Sequence, residues 1–446
     1  MAQISETAFT SGTKRIVDKL LAYLVLILIL GAEVAVVLIH ALKTDSIFAI
    51  AGKISGFWGA TLIMTQLLFS ARLQILNKLF GIDRLMVSHK FLGPTGFVFA
   101  ILHPFLLYRS GSYSFGALKL ELWPEFLGAV ILTILVILVC TSLFREFLKL
   151  DYRYWRKIHQ LAFGAVLLMA VHSFVLGGEL EFPVPIVAWS LALFGYLVLF
   201  LWVKFIKPHM LKNNPYVVTD VLALNHNVVN LKLEPVKKKL FEYLPGQFAF
   251  LRLFRKGLKT EEHPFTISSS PDKRDYISFT IKNSGDYTST IGLTKIGDKA
   301  AVEGPLGRFS FMVYPQAEHI VFIAGGIGIT PLLSMLRYIA QNDNQKQVTL
   351  IWANRTVKDT FLPEEFEDIT KVMPNLKIHY IMSQQPDYTG LKGYLNDEIL
   401  KELLCPVSHG TRVFLCGPPV MMKLVKGSLR KIGFANKQII TENFAI

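Results

Sequence analysis

Six apolar runs, at residues 16–42, 54–76, 86–108, 123–144, 157–177 and 185–206, are each long enough to cross a bilayer. A hydrocarbon core of about 30 Å takes roughly 20 helical residues, because backbone amides must satisfy one another in lipid. The first half is therefore expected to form a six-helix membrane bundle. After about Lys207 the text changes to short β-branched runs, turn residues and charges. The 52% hydrophobic content averages these two unlike halves. The first run follows Lys14 and Arg15 and shows no small-residue cleavage pattern, so it reads as a retained helix rather than a leader.

A net charge of +14 invites a nucleic-acid reading. The positions of the charges argue for a lipid bilayer as the partner instead. Arg72, Lys78, Arg84 and Lys90 lie between the second and third runs, and Arg145, Lys149, Arg153, Arg156 and Lys157 between the fourth and fifth. The opposite loops carry fewer. The positive-inside rule then places both termini in the cytoplasm, consistent with six crossings of a plasma or bacterial inner membrane. Cys140, Cys405 and Cys416 are too dispersed for a disulfide scaffold or a zinc site.

Four histidines stand out in the membrane half. His89 and His103 are 14 positions apart in the third run; His159 and His172 are 13 apart in the fifth. At about 1.5 Å per residue each spacing covers roughly 20 Å of helix. Two such helices offer two imidazole pairs at two depths, the arrangement that two axially ligated haems require. Ionisable groups inside a membrane are costly and usually functional. Gly93, Gly96 and Gly164 are suited to pass close to a macrocycle. Fourteen residues return to within about 40° of the starting face, but thirteen do not. The fifth run therefore needs a π-turn, a bend or different ring approaches. Glu33 and His40 are further intramembrane ionisable groups, suited to proton movement or a propionate network; lining of the bundle interior is the preferred reading.

From Tyr216 the pattern alternates through Val217–Thr219, Val228–Leu233, Gln247–Leu253 and Tyr276–Ile281, which suggests a small antiparallel β-barrel ending near Pro315. Ile320–Ala324, Val348–Trp352, Ile378–Ile381 and Val413–Leu415 then alternate with helical stretches, the pattern of an α/β parallel sheet. The expected division is a tail at 1–14, a membrane domain at 15–210, a barrel at 211–315 and an α/β domain at 316–446. The strongest local signal is the strand running into Gly325, Gly326 and Gly328, followed by Thr330, Pro331 and a helix. Glycines let a diphosphate approach the backbone, and a helix start supplies amide donors. The spacing is not GxGxxG. Its weight comes from its company: His263-Pro-Phe-Thr-Ile-Ser-Ser269, Gly304-Pro-Leu-Gly307 and Cys416-Gly-Pro-Pro419.

His263-Pro264-Phe265-Thr266 and Gly285-Asp286-Tyr287-Thr288 resemble the flavin motifs of NADPH oxidases and ferric reductases. Gly325 to Pro331 and Cys416 to Pro419 resemble the nucleotide motifs of the wider ferredoxin–NADP reductase superfamily. The histidine spacings match the same transmembrane family, and the resemblance spans residues 15–446. It implies that His263, Pro264, Phe265, Thr266, Ile267, Ser268 and Ser269 line FAD, with Thr266 near the isoalloxazine. Gly285 and Thr288 would hold its pyrophosphate. Gly325, Gly326, Gly328, Thr330 and Pro331 would bind the dinucleotide, with Cys416, Gly417 and Pro418 by the nicotinamide. Phe444 would cover the flavin, although Ala445 and Ile446 follow it here. Tyr287 stands where many relatives have tryptophan.

The cofactors so implied are FAD, two b-type haems and NADPH, with NADH possible. Arg355, after the strand ending at Trp352, is the position suited to a 2′-phosphate. Electrons would pass from NADPH through FAD to His89/His159, then His103/His172, and outward. Dioxygen, giving superoxide, is the expected acceptor, with Lys53 as the outer cation. Leu107 occupies the place where many animal oxidases have a second histidine, so ferric-chelate reduction is the alternative. Transfer to a quinone or an external redox protein, and a redox-sensing anchor without turnover, are further readings. No calcium-loop pattern occurs, so activity without an obligatory protein partner is expected.

Overall fold

The computed structural model describes residues 12–41, 46–111, 123–176, 183–237 and 240–442. The chain divides into two compact units, Met1–Pro208 and His209–Ile446.

In the first unit the helices are α1 (Gly12–Ala41), α2 (Ile47–Ser70), α3 (Gln74–Phe80), α4 (Ile82–Arg109), α5 (Trp123–Leu143), α6 (Tyr152–His159), α7 (Leu161–Leu176) and α8 (Pro183–Leu201). A π-turn at Trp202–Ile206 carries α8 into α9 (Lys207–Asn213). Among the described residues, five helical spans are long and apolar enough to cross a membrane: α2, α4, α5, Tyr152–Leu176 and Pro183–Asn213. The first expected crossing lies in α1, whose apolar stretch among the described residues is the shorter Ile27–Ile39. Exposed apolar side chains such as Ile101, Val171, Leu191 and Phe194 stud these helices. That is the surface lipid requires.

The helices meet through small residues. A Cβ on Gly59 would lie 3.1 Å from the Ala100 backbone nitrogen, and one on Gly96 would lie 3.1 Å from Leu62 and Ile63 side-chain atoms. Gly52 fits against Leu107 in the same seam. Van der Waals contact drives helix association in lipid, and glycines permit the closest approach. Gly96 is therefore a helix-crossing residue, correcting the expectation that it faces a macrocycle. A Cβ on Gly164 meets nothing within 4 Å, and one on Gly93 meets only the Gln66 side chain, at 3.7 Å.

The second unit holds two sheets. The first is antiparallel, in the order β4-β3-β6-β1-β2-β5, built from β1 (Tyr216–Asn225), β2 (Val228–Pro235), β3 (Phe248–Phe254), β4 (Glu262–Thr266), β5 (Ile277–Lys282) and β6 (Lys299–Leu306). Its edge strands are brought together where Ile267, just past β4, bridges Phe279 of β5. Val218, Leu231, Leu251, Ile267 and Phe279 fill the interior completely buried. Strands β4 and β6 were not read from the sequence; β4 contains Pro264 and β6 contains Gly304 and Pro305, residues that weaken a strand signal.

The second sheet runs β10-β9-β8-β7-β11-β12 and is parallel throughout, with β7 (His319–Gly325), β8 (Gln347–Asn354), β9 (Leu376–Met382), β10 (Leu391–Lys392), β11 (Thr411–Cys416) and β12 (Ile439–Thr441). Helices α10 (Ile329–Asn342), α11 (Pro363–Val372), α12 (Asp397–Leu404) and α13 (Pro419–Lys431) join the strands. Two separate cores, one around Phe322 and Trp352 and one around Val321 and Leu415, show that both faces are covered. Strand order reverses between β7 and β11. Ligands of such sheets bind outside the carboxyl ends of the strands at that reversal.

Candidate functional sites in the bundle and the reductase unit

The four bundle histidines meet in two pairs. His89 and His159 have ring centres 6.0 Å apart, and His103 and His172 have ring centres 6.4 Å apart. The 13-residue spacing is absorbed by a break: α6 ends at His159, Gln160 is a turn, and α7 begins at Leu161. There the Gln160 amide donates to the Lys157 carbonyl (3.2 Å) and the Phe163 amide to the Gln160 carbonyl (3.2 Å), three-residue closures that tighten the helix. On either side of this break His159 and His172 both meet histidines of α4, His89 and His103.

The rings of His103 and His172 are each fixed by a carbonyl. His103 Nδ1 donates to the Gly52 carbonyl (2.8 Å) and His172 Nδ1 to that of Pro124 (2.9 Å). A carbonyl only accepts, so Nδ1 carries the proton and Nε2 keeps its lone pair. Glycines make room for both rings: a Cβ on Gly56 would lie 2.7 Å from His103 Nδ1, and one on Gly128 would lie 2.9 Å from His172 Cε1. Neither glycine was singled out in the sequence, although the Gly52, Gly56, Gly59 spacing in an apolar helix is a packing signature. The other pair is held differently. Trp155 stacks on His159 (4.9 Å between ring centres, 28°) and donates to Ser142 Oγ (3.1 Å). His89 has a buried Nδ1, with the Gln66 backbone beside it. Among the described residues no three or more metal-binding side chains gather in one place.

Glu33 accepts a short hydrogen bond from the Thr61 hydroxyl, and its second carboxyl oxygen is buried. The side chain of His40 lies outside the described residues, as does Phe444.

In the reductase unit the two flavin-type motifs touch. The His263 ring stacks on Tyr287 (4.2 Å, 22°), the Arg255 guanidinium lies over the Tyr287 ring at 5.2 Å, and Glu261 binds His263 Nε2 (3.0 Å). Thr288 Oγ1 accepts from the Ser284 amide (2.9 Å) and donates to the Gly285 carbonyl (3.1 Å), closing the turn that opens a short 3-10 helix. Pro264 and Phe265 are half-buried and Thr266 is buried.

The side chains at the end of the His263–Ser269 run are used inside the protein. Ile267 is fully buried in the core. Ser268 Oγ bonds Thr280 Oγ1 (2.9 Å) and Ser278 Oγ (3.1 Å), while Ser269 Oγ bonds Tyr243 Oη (2.9 Å). Their carbonyls receive Arg337 Nη1 (2.7 Å) and Ser334 Oγ (2.7 Å) from α10. Arg337 also grips Glu365 with two bonds. These side chains tie the antiparallel sheet to α10. Burial, with the Ser269 bond opposing, holds the Tyr243 phenol well above the ordinary tyrosine range.

At the strand reversal, the loops after β7 and β11 lie against each other. A Cβ on Gly328 would come 2.4 Å from the Cys416 carbonyl oxygen, and one on Gly417 would come 3.0 Å from the Gly325 amide nitrogen. One on Gly325 would strike Met421 and Pro418. Gly325 and Gly328 are thus required by loop packing. Gly326 alone has open space above it, and its φ of +52° suits glycine. Thr330 is buried and its hydroxyl donates to the Ile327 carbonyl (3.1 Å); Pro331 is buried too. Arg355 is exposed just past β8. Cys416 is buried, and burial first, then the Glu442 carboxylate, push its thiol well above the ordinary value. It stays a neutral thiol at physiological pH.

Three family models match separate stretches of the chain. Residues 55–170 match the ferric reductase like transmembrane component, 213–308 an FAD-binding domain, and 322–427 the oxidoreductase NAD-binding domain. The chain is an integral membrane oxidoreductase with flavin and nicotinamide-nucleotide modules. NADH-cytochrome b5 reductase 1 of Dictyostelium discoideum is 33% identical over 227 residues, covering 50% of this chain and 79% of that protein. NADH-cytochrome b5 reductase 2 of Aspergillus niger is 28% identical over 242 residues (50% and 75%), and the glycine betaine monooxygenase reductase subunit of Chromohalobacter salexigens 32% over 212 (46% and 57%). With a ferric reductase-like membrane component ahead of these modules, the chain belongs to the NADPH oxidase and ferric reductase family.

Proposed function

We propose that the chain carries electrons from NADPH through FAD and two b-type haems to a small acceptor on the outer face of the membrane. The observation that carries this reading is the spacing of the paired imidazoles. Two imidazoles on opposite faces of one iron have ring centres roughly 6 Å apart, since each iron–nitrogen bond is about 2 Å. The 6.0 and 6.4 Å separations match that demand. The open positions at Gly93 and Gly164 suit a macrocycle.

Bound flavin supplies the conversion of a two-electron hydride donor into single electrons, and haem supplies one-electron carriage. The protein's own groups bind and orient. His89 with His159, and His103 with His172, would hold the two haem irons; the Gly52 and Pro124 carbonyls hold the His103 and His172 rings in the tautomer that leaves Nε2 free to do so. His263 to Thr266, with Gly285 and Thr288, would hold the flavin. Gly326 and the start of α10 would receive the diphosphate, Arg355 the 2′-phosphate, and neutral Cys416 with Gly417 and Pro418 would border the nicotinamide. A thiol kept neutral places no anion where hydride leaves. The bundle has six crossings, the antiparallel sheet is a barrel, and both termini are cytoplasmic, as the loop charges argue.

Dioxygen is the leading acceptor, giving superoxide. A second reading, ferric-chelate reduction, is favoured by Leu107, which packs on Gly52 where animal oxidases resemble one another in having histidine. The test is a reduced-minus-oxidised spectrum of the purified chain together with NADPH turnover. Two haems and superoxide dismutase-sensitive acceptor reduction are expected. A single haem or none would sink the relay, and dismutase-insensitive reduction of ferric chelate would replace dioxygen by the second reading.

A further inference from the structure

The stretch from the end of α5 through α6 is basic, aromatic and exposed. Residues 144–157 carry five cations, Arg145, Lys149, Arg153, Arg156 and Lys157, against two carboxylates, Glu146 and Asp151. Asp151 already grips Arg153 through two bonds (3.1 and 3.0 Å). Among the described residues, Arg145, Lys149, Arg156 and Lys157 pair with no carboxylate. Phe147, at 84%, is the most exposed large apolar side chain described, and Phe144 and Tyr154 are exposed beside it. The stretch is nonetheless built: the Leu148 amide donates to the Phe144 carbonyl (2.8 Å) and the Leu150 amide to the Arg145 carbonyl (3.0 Å).

Its depth follows from α5. That helix has 21 residues, and at about 1.5 Å per residue it crosses the whole hydrocarbon core. Phe144 and Arg145 therefore emerge at the level of the lipid headgroups. Bare rings next to unpaired cations at that level match the two parts of a phospholipid, acyl chain and phosphate. A free anion would have no use for the rings.

Arg145 has a further connection. Its guanidinium lies 5.8 Å from the Tyr152 ring and 6.0 Å from the Trp155 ring. Trp155 in turn stacks on His159, with ring centres 4.9 Å apart. Ring faces at that range hold a cation weakly, whereas the guanidinium fork matches two phosphate oxygens. A phosphate arriving here competes only with aromatic faces.

We propose that residues 144–157 bind the headgroup of an anionic phospholipid, with Arg145 as the phosphate ligand, and that its occupancy is felt at His159 through Trp155. Drawing the guanidinium towards a phosphate changes the charge beside the indole that orients the His159 ring. The lipid site stands on the geometry of the stretch itself; its effect at His159 rests on the haem reading above.

The experiment uses the full-length chain with its cofactors, in nanodiscs of phosphatidylcholine alone or with about 20% phosphatidylglycerol. The thermal midpoint, followed by tryptophan fluorescence, should rise by about 2–4 °C with the anionic lipid. Lys78→Gln removes one exposed cation from α3 and should keep that rise, while Arg145→Gln should lose most of it. Lys149→Gln should lose part of it, and stands in where the arginine variant does not assemble. The paramagnetic resonance signal of the haem at His89 and His159 should shift between the two lipid mixtures in the wild type and not in Arg145→Gln. A wild-type midpoint indifferent to phosphatidylglycerol overturns the site and leaves the stretch to a protein partner. Equal losses in Lys78→Gln and Arg145→Gln overturn it too, as the mark of the general field of the leaflet. Inorganic phosphate that reproduces the rise in detergent overturns the lipid in favour of a soluble anion. A midpoint gain with an unmoved haem signal overturns the link to His159. A chain that holds no haem overturns the haem reading and leaves the midpoint comparison to decide the site.

Discussion

Gly56 approaches His103 so closely that a Cβ there would sit 2.7 Å from the imidazole Nδ1. The same Nδ1 donates to the Gly52 carbonyl one turn away on the same helix. One face of α2 thus positions the ring twice, by a hydrogen bond and by a steric limit. Gly56→Ala must push His103 off that carbonyl or push the helices apart. Overpacking of this kind costs about 1–3 kcal/mol. The expected outcome is selective loss of the haem proposed for His103 and His172, read as a fall in haem-to-flavin ratio towards one, with the His89/His159 site retained. Equal loss of both haems would show that the glycine serves only general packing.

Removing a ligand should separate the two halves of the relay. His89→Leu is expected to abolish reduction of the external acceptor while ferricyanide reduction by NADPH at the flavin persists within about twofold. The reason is that the reductase unit has its own cores and its own closed hydrogen-bond network. Stopped-flow spectra of flavin and haem on one sample check this. Retention of the wild-type haem spectrum in the variant would refute the ligand assignment.

The bundle and the alternating sheets were legible because apolar length and period-two or strand–helix patterning survive in a bare sequence. The histidine pairs were legible because ionisable groups in lipid are rare enough to count. The 13-residue spacing called for a π-turn, a bend or different ring approaches, and the helix is interrupted at Gln160. What stayed hidden depends on which helix or loop faces which. Gly56 and Gly128 have meaning only opposite His103 and His172, and Gly328 only opposite Cys416. Ser268 and Ser269 lie within a motif that resembles a flavin site, yet their hydroxyls turn inward to Thr280 and Tyr243. Side-chain direction at the end of a strand cannot be read from the letters alone.

Gly328 and Gly325 should respond differently to alanine. At Gly328 the obstruction is backbone, the Cys416 carbonyl at 2.4 Å, which nothing flexible can relieve. At Gly325 the nearest atom is Met421 Sδ at 2.3 Å, the adaptable end of a side chain, with Pro418 Cδ at 2.8 Å behind it. Gly328→Ala is expected to destabilise the reductase unit by about 3 kcal/mol and cut kcat/KM for NADPH at least about tenfold. Gly325→Ala should do less, and Met421→Ala should partly rescue it. Thermal melts followed by flavin fluorescence, with steady-state kinetics, check both; equal effects at the two glycines would contradict the packing argument.

The buried neutral groups of the reductase unit predict its behaviour in alkali. Burial and the Glu442 carboxylate hold the Cys416 thiol above its ordinary value of 9.0, and burial pushes the Tyr216 phenol up to about 12. Each group loses its proton more readily in the unfolded chain. Their contribution to stability is therefore complete below the unfolded values and is lost as pH rises through the folded ones. For Cys416 the loss begins near pH 9.0, with a limiting slope of about 1.4 kcal/mol per pH unit for one proton. Cys416→Ala removes that proton from the balance. It shifts the stability curve vertically for packing reasons but should flatten its fall between about pH 9 and 10, before the tyrosines of the unfolded chain titrate. Urea unfolding of the FAD-loaded chain across that range is the measurement. Parallel curves for the variant and the wild type would mean that Cys416 is not the group whose ionisation the fold resists.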